Sequence, residues 1–169
     1  MEKKFSFRKL LPVYLTVAAL LFAALSCNSP KKEEQPPFDL AAAKIAIEAR
    51  NKVFTDAINN GDSIAAANCY TTDAKMMQPH GKAVSGRAAI QKAISGYIKA
   101  GFDNFSMKTV AVWGDETGLT VEEEWFFNDK DGKEIDRGKS LELWKMEDGE
   151  WKLFRDCFNS DLPLPAENK

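Results

Sequence analysis

Three side chains of this sequence could carry out acid–base chemistry near neutral pH. His80 is the only histidine of the 169 residues, and it lies in a turn-like segment, Pro79-His80-Gly81. Asp156 lies among apolar residues, where burial would raise its pKa. Glu123 is the middle one of three consecutive glutamates on a predicted strand, where alternation turns at least one carboxylate inward. His80 paired with Asp156 or Glu123 could therefore transfer protons.

Each of these candidates also has a purely structural interpretation. A turn histidine is commonly exposed, and a run of glutamates commonly has one ion-paired member with the others in solvent. We favour these interpretations for His80 and Glu123, because nothing in the sequence fixes their partners. For Asp156, a carboxylate that positions the last strand and a carboxylate inside a pocket are equally good interpretations.

Large apolar side chains could form the walls of a pocket for an apolar or aromatic ligand. Aromatic rings offer flat apolar surfaces, and methionine fills irregular gaps. Core packing or a dimer interface accounts for most of the four tryptophans in a domain of this size. The residues that we expect at the pocket are Phe54, Met76, Gln78, Trp113, Trp125 and Phe154.

The sequence does not indicate metal or nucleotide chemistry. It has no Cys-x-x-Cys or His-x-x-x-His motif, and Asp129-Lys130-Asp131-Gly132 lacks the ligand spacing of an EF-hand. It also has no Gly-x-Ser-x-Gly, Walker or dinucleotide-binding motif. We therefore expect neither a metal nor a cofactor.

Residues 1–26 have the features of a signal peptide. A basic start is followed by the uncharged segment Leu10–Leu25, which is shorter than a typical bilayer span. The segment Leu20–Cys27 resembles the lipobox of bacterial lipoproteins, which implies acylation of Cys27; ordinary cleavage after Ser26 is the alternative. Because Asn28 follows, and not the aspartate associated with inner-membrane retention, we expect a lipid anchor in the bacterial cell envelope, at the outer membrane. The sequence does not fix the side of that membrane.

The rest of the chain divides into an acylated cysteine with a flexible linker (27–38), one domain (39–165) and a short tail (166–169). The chain has 23 basic and 25 acidic side chains, and the first 26 residues hold four of the basic and one of the acidic ones, so the remainder has a net charge of −5. An acidic domain without a cluster of Lys and Arg gives nucleic acid no electrostatic footprint. We therefore expect no nucleic-acid partner, and membrane contact through the lipid anchor only.

Helical periodicity in the first half of the domain gives way to alternation in the second half. The predicted helices follow Asp39, Ser63 and Ser85, with a short strand before the third. The first predicted helix ends near Asn59-Asn60-Gly61, and the second, Ile64–Tyr70, stops before Thr71-Thr72-Asp73. A short strand at Ala74–Gln78 follows, and the third helix ends at Gly101.

Four alternating segments, joined by three hairpins, predict an antiparallel meander. They are Phe105–Trp113, Leu119–Phe127, Glu134–Met146 and Trp151–Phe158. The fold class is therefore α+β, with three N-terminal helices on the concave face of a highly curved antiparallel sheet that leaves a pocket between them. Cys69 and Cys157 could form a disulfide or remain as buried thiols.

The order of these elements and several short motifs resemble the nuclear transport factor 2-like superfamily, specifically its SnoaL-like branch of bacterial domains. The resemblance covers residues 43–163 and implies a cone of curved sheet around a pocket, often dimerised through the outer face of the sheet, so we expect a homodimer. The motifs are Asn60-Gly61-Asp62, Ser85-Gly86-Arg87-Ala88-Ala89-Ile90, Leu143-Trp144-Lys145 and Asp148-Gly149-Glu150-Trp151-Lys152.

The catalytic positions of ketosteroid isomerases in this superfamily do not carry over to this chain. The carboxylate base of those enzymes corresponds to Gln78, which cannot accept the proton, and their oxyanion-hole tyrosine corresponds to Phe54, which has no donor. Steroid-type isomerisation is therefore not expected.

Three functions remain, because the fold alone does not decide between them. The first is a small-molecule-binding lipoprotein domain that holds an apolar or aromatic ligand. The second is an enzyme of cyclase, dehydratase or isomerase type that uses Asp156 or Glu123 with His80. The third is a dimeric interaction or scaffold protein. We favour the first, because the catalytic positions that can be mapped are vacant.

Overall fold

The structure is a computed structural model that describes residues 37–102 and 104–163. The predicted signal peptide, Cys27, nearly all of the linker and the tail lie outside the described residues. Three helices and six strands follow one another in the described chain. None of its helices is both long and apolar enough to cross a bilayer.

Helix α1 spans Leu40–Asn59 and begins where the sequence places its cap. The Asp39 carboxylate accepts a hydrogen bond from the backbone N–H of Ala42, at 3.0 Å. The helix ends before Gly61, which has a φ of 74° that suits glycine. One face of α1 is buried, with the residues Ala43, Ile47, Asn51, Ala57 and Ile58.

Helix α2 is shorter, and the strand after it longer, than the sequence predicts. Helix α2 spans Ser63–Asn68 and strand β1 spans Tyr70–Met77, so the predicted end of the helix at Tyr70 and the predicted start of the strand at Ala74 were wrong. The reason is a pairing between distant parts of the chain, because the N–H of Leu153 donates to the carbonyl of Cys69 at 2.9 Å. The secondary-structure propensities of the local residues do not indicate this pairing.

A two-residue strand, β2 (Val84–Ser85), precedes helix α3 (Arg87–Lys99) and was not predicted. The four later strands lie within two residues of their predicted bounds. They are β3 (Phe105–Asp115), β4 (Gly118–Asn128), β5 (Glu134–Glu147) and β6 (Glu150–Ser160).

The six strands form one curved sheet in the order β2-β1-β6-β5-β4-β3, which confirms the α+β fold class. Strand β6 lies between β5 and β1. It pairs antiparallel with β5 but parallel with β1, so the expectation of a wholly antiparallel sheet was wrong at this one pair.

The core lies between the helices and one face of the sheet. Ile47 of α1, Ile90 and Ile94 of α3, and Val121 and Trp144 of the sheet are all buried there. The described core and the aromatic side chains packed on it lie between residues 38 and 158, so this part of the chain has the hydrophobic core that independent folding requires. Cys69 is buried and Cys157 is exposed, and both are free thiols, so the structure contains no bridge between them.

Gly138 of β5 is a position where the sheet leaves no room for a side chain. A Cβ atom there would overlap the carbonyl oxygen of Asn159 and the indole ring of Trp125. We expect Gly138→Ala to lower the free energy of unfolding by about 3 kcal/mol, because a backbone atom cannot move aside as a flexible side chain can. Urea unfolding followed by circular dichroism measures this change.

The matched control is Gly96→Ala in α3, where an added Cβ meets nothing within 4 Å. This control should raise stability by about 0.5–1 kcal/mol, because alanine is the better helix former. Equal effects of the two substitutions would contradict the packing described at Gly138.

Candidate functional site

The structure contains a cavity of about 290 Å³ between the helices and the sheet. Its walls are mainly aromatic, and the rings hold one another in place: Phe54 packs edge-on against Tyr70 and Phe105, with centroids 5.8 and 6.0 Å apart, and Phe105 stacks on Phe127 at 4.5 Å. The aromatic lining residues are Phe54, Tyr70, Tyr97, Phe102, Phe105, Trp125, Phe127, Trp144 and Phe158.

Two carboxyl groups line this cavity from neighbouring strands. Glu142 of β5 and Asp156 of β6 are opposite each other in the strand register, and their exposed fractions are 2% and 6%. The hydroxyl of Tyr70 donates to Asp156 Oδ2 at 2.6 Å. Glu142 accepts from the hydroxyl of Ser140 at 2.9 Å and from the indole N–H of Trp144 at 2.8 Å.

Burial changes the protonation of these groups. Desolvation raises the pKa of Asp156 to about 6, and the hydrogen bond from Tyr70 opposes this rise. Desolvation also raises the pKa of Glu142 well above its ordinary value, and the nearby charge of Asp156 adds to that rise. Ionised Asp156 thus makes ionisation of Glu142 still less favourable, so the pair resists carrying two negative charges.

Glu123 lies behind the cavity wall, and the structure does not place it among the lining residues. It is fully buried, and its Oε1 accepts from Asn51 Nδ2 at 2.6 Å and from the hydroxyl of Thr109 at 2.9 Å. Its Oε2 is buried without a hydrogen-bond partner among the described residues. Desolvation raises the pKa of Glu123 to about 7 against these two hydrogen bonds. Asn51 also lines the cavity, so this amide separates Glu123 from the interior.

The structure does not bring His80 to either carboxyl group. Its φ of 57° lies in the left-handed region of a tight turn, and the residue is exposed. Within the described residues, no hydrogen bond joins His80 to Asp156 or to Glu123. The pairing of His80 with a buried carboxylate, which the sequence offered as the alternative to an exposed turn residue, is therefore absent among the described residues.

Three of the six expected pocket residues, Phe54, Met76 and Trp125, lie on the cavity wall. Gln78 does not, although it accepts a hydrogen bond from the hydroxyl of Tyr97, a lining residue, at 2.7 Å. Trp113 is 50% exposed near the end of β3, away from the cavity. The expectation was therefore wrong for Gln78 and Trp113 as wall residues.

Phe154 is also outside the cavity, because strand β6 contains a bulge. Leu143 pairs with Arg155 and Trp144 pairs with Leu153, so Phe154 is the extra residue between them. Its ring is covered by the Lys145 ammonium at 4.0 Å and by the Arg155 guanidinium at 3.6 Å. Strict alternation along β6 would have placed Phe154 and Asp156 on one face, and the bulge separates them.

Sequence reasoning missed Tyr70 and Glu142. Tyr70 was placed in a helix, and only its long-range pairing with β6 reveals a strand. Glu142 did leave a signal, because alternation along β5 puts its carboxyl on the same face as Ser140 and Trp144. No group of three or more potential metal ligands is clustered in the described part of the chain.

Comparison with known proteins agrees with this architecture. A sequence profile of the SnoaL-like domain matches residues 52–154, which is more than half of the chain. The chain belongs to the SnoaL-like domain family. No curated protein sequence matches this SnoaL-like protein.

Solved structures share the fold of this SnoaL-like domain at low sequence identity. A domain of unknown function with a cystatin-like fold from Nostoc punctiforme has a TM-score of 0.65 and 15% identity, with 75% of this chain and 82% of that chain covered. A protein of unknown function from Mycobacterium tuberculosis has a TM-score of 0.62 and 18% identity, with coverage of 73% and 75%. A ketosteroid isomerase-like protein from Erwinia carotovora atroseptica has a TM-score of 0.56 and 20% identity, with coverage of 70% and 96%.

The burial of Glu123 makes stability depend on pH. Because its pKa is raised from 4.5 to about 7, the folded state favours the protonated carboxyl, and this contribution is lost as the pH rises through 7. We expect Glu123→Gln to remove this loss. Between pH 5 and pH 8 the free energy of unfolding of the variant should therefore rise by about 2–3 kcal/mol relative to that of the parent protein. Urea unfolding at several pH values measures the difference.

The control for this experiment is Glu124→Gln, whose side chain is 46% exposed and forms an ion pair with Lys108. It should leave the pH dependence of the parent protein unchanged. Parallel pH profiles for the parent protein and Glu123→Gln would show that Glu123 is not the titrating group.

Proposed function

We propose that this SnoaL-like domain binds a small apolar or aromatic molecule in its cavity while a lipid anchor at Cys27 holds it in the bacterial cell envelope. The observation that carries the binding proposal is the aromatic cavity itself, with hydrogen-bonding groups confined to a few positions. Its volume of about 290 Å³ is near the lower end of ligand pockets, and ~150 Å³ holds one benzene ring. A ligand of roughly two rings would fit.

Asp156, Glu142 and Tyr70 supply the polar contacts of this proposed site. An apolar molecule would gain free energy from burial against the rings, and a single polar group on it would be oriented by the carboxyl pair. Such a division between apolar walls and a few polar groups is typical of specific binding sites.

An enzyme of cyclase, dehydratase or isomerase type is the second candidate. The observation in its favour is the pair of opposed carboxyl groups with raised pKa values, which could donate and accept protons near neutral pH. In this arrangement Asp156 would act with Glu142, whereas the sequence offered Asp156 or Glu123 with His80 as an alternative. The hydroxyl of Tyr70, also on the cavity wall, donates a hydrogen bond to Asp156.

Native mass spectrometry of residues 28–169, exported into the bacterium's own envelope behind a cleavable signal peptide, tests the binding proposal. We expect a discrete additional mass on the protein. Met107→Trp should remove this mass, because Met107 lines the cavity and a larger ring would occupy the space. The control is Val110→Trp, which adds the same ring on the same strand at a residue 43% exposed.

Loss of the additional mass in Met107→Trp alone supports binding inside the cavity, provided that both variants unfold cooperatively at similar temperatures. No additional mass on the parent protein, or equal loss in both variants, would contradict it. A bound mass that changes to a different product on incubation would favour the enzyme.

The same spectra measure the proposed homodimer. The face of the sheet that carries Trp113, Leu141 and Leu143 has these side chains 50%, 55% and 43% exposed. Trp113 and Leu143 flank the same residue of β4, Thr120, in the strand register, so they share one face. A second copy would cover this apolar surface.

The lipid anchor is tested separately with Cys27→Ser. The lipobox-like segment before Cys27 supports acylation there, and several acyl chains would give stable anchoring. We expect a clickable palmitate analogue to label the parent protein in cells and to leave Cys27→Ser unlabelled. Cys157→Ser should be labelled like the parent, and equal labelling of all three proteins would overturn the assignment.

A further inference from the structure

We infer that the ligand of this cavity is an organic cation: an apolar or aromatic molecule with a protonated amine that contacts Asp156. This inference rests on the proposed binding function and names the chemistry of its ligand. It follows from the distribution of charge around the cavity, from the hydrogen bonds that the carboxyl pair already makes, and from the aromatic walls.

The charged residues that line the cavity are all acidic. Asp136, Glu142 and Asp156 lie on its wall, and no lysine, arginine or histidine of the described chain does. The carboxylate of a fatty acid would therefore meet like charge in a medium of low dielectric constant, with no cation to accept it. The charge distribution disfavours an anionic ligand.

Asp156 has a carboxylate oxygen available to a ligand. Its Oδ2 accepts from Tyr70, whereas its Oδ1 accepts no hydrogen bond from a described residue, although the residue is only 6% exposed. Among the described residues it forms no ion pair: Lys152 of the same strand pairs with Glu147 and Asp148. A buried carboxylate without a cation is costly, and a cationic ligand would remove that cost.

Glu142 directs the cation to Asp156 because both of its own oxygens already accept from Ser140 and Trp144. The other titratable groups near the pair are Tyr70, Tyr97, Cys69, Asp136 and Glu123, and none of them is a cation. Burial raises the pKa of both phenols and of the Cys69 thiol, and the charge of Glu123 adds to the desolvation that raises the pKa of Glu142. No positive charge of the described protein therefore competes with the ligand.

The aromatic walls favour a cation as well. The faces of indole and phenyl rings attract an ammonium group, most strongly where water is excluded. Phe54, Trp125 and Phe158 are among the rings of the same cavity. A neutral alcohol or ketone would gain the same apolar burial but would leave the charge of Asp156 uncompensated.

Isothermal titration calorimetry of residues 28–169 with three matched compounds tests this inference. The probes are 4-phenylbutylamine, 4-phenylbutan-1-ol and 4-phenylbutanoate, which share a phenyl ring and a similar chain length. At pH 8 we expect the amine to bind at least about tenfold more tightly than the alcohol, and the carboxylate not to bind measurably. At pH 5, where Asp156 is mainly protonated, the advantage of the amine should fall.

Asp156→Asn should reduce the preference for the amine to about onefold while the alcohol still binds, because asparagine keeps the shape and still accepts from Tyr70. Glu124→Gln, outside the cavity, should keep the full preference, and circular dichroism checks that both variants are folded. Binding of the alcohol as tightly as the amine, or an amine preference that persists in Asp156→Asn, overturns the cation inference and leaves the binding function standing. Binding of none of the three probes overturns both.

Discussion

The site depends on one strand pairing, the contact of β6 with β1. The last strand of the domain lies between β5 and β1, so it carries Asp156 to a place where Tyr70 reaches it from one side and Glu142 from the other. The β5–β6 hairpin alone places Glu142 opposite Asp156, but Tyr70 is 86 residues away from Asp156 in sequence and reaches it only through the pairing of β6 with β1. The helices then close the space above them, and the cavity results from that closure.

This arrangement sets two requirements against each other. Apolar walls make the cavity attractive to organic molecules, but the same walls raise the free energy of any ionised group within it. The protein limits the conflict because the pKa of Glu142 is raised, which disfavours its charged form, and because Asp156 accepts a hydrogen bond from Tyr70. The charge of the two carboxyl groups therefore depends on what occupies the cavity, because a bound molecule changes the dielectric constant around them.

The sequence predicted the elements far better than the site. Caps such as Asp39 and the glycine-containing turns of the meander are local signals, and they placed α1 and the four long strands within a few residues. Asp156 was recognised from its apolar neighbours. Tyr70 was not, because its strand partner is Leu153, more than eighty residues away. The exposure of His80 could be anticipated, because Pro79-His80-Gly81 already indicated a turn.

The bulge at Phe154 decides which side chains of the last part of β6 face the cavity. One extra residue in β6 changes which side chains face inward beyond it, so Asp156 points to the cavity and Cys157 to the solvent side. A single-codon deletion at this place would exchange the two faces of the strand end without altering any other residue. Related proteins with the same fold could therefore gain or lose the cavity carboxyl group through the insertion or deletion of one residue in this strand. A comparison that considers only substitutions at aligned positions would overlook such a change.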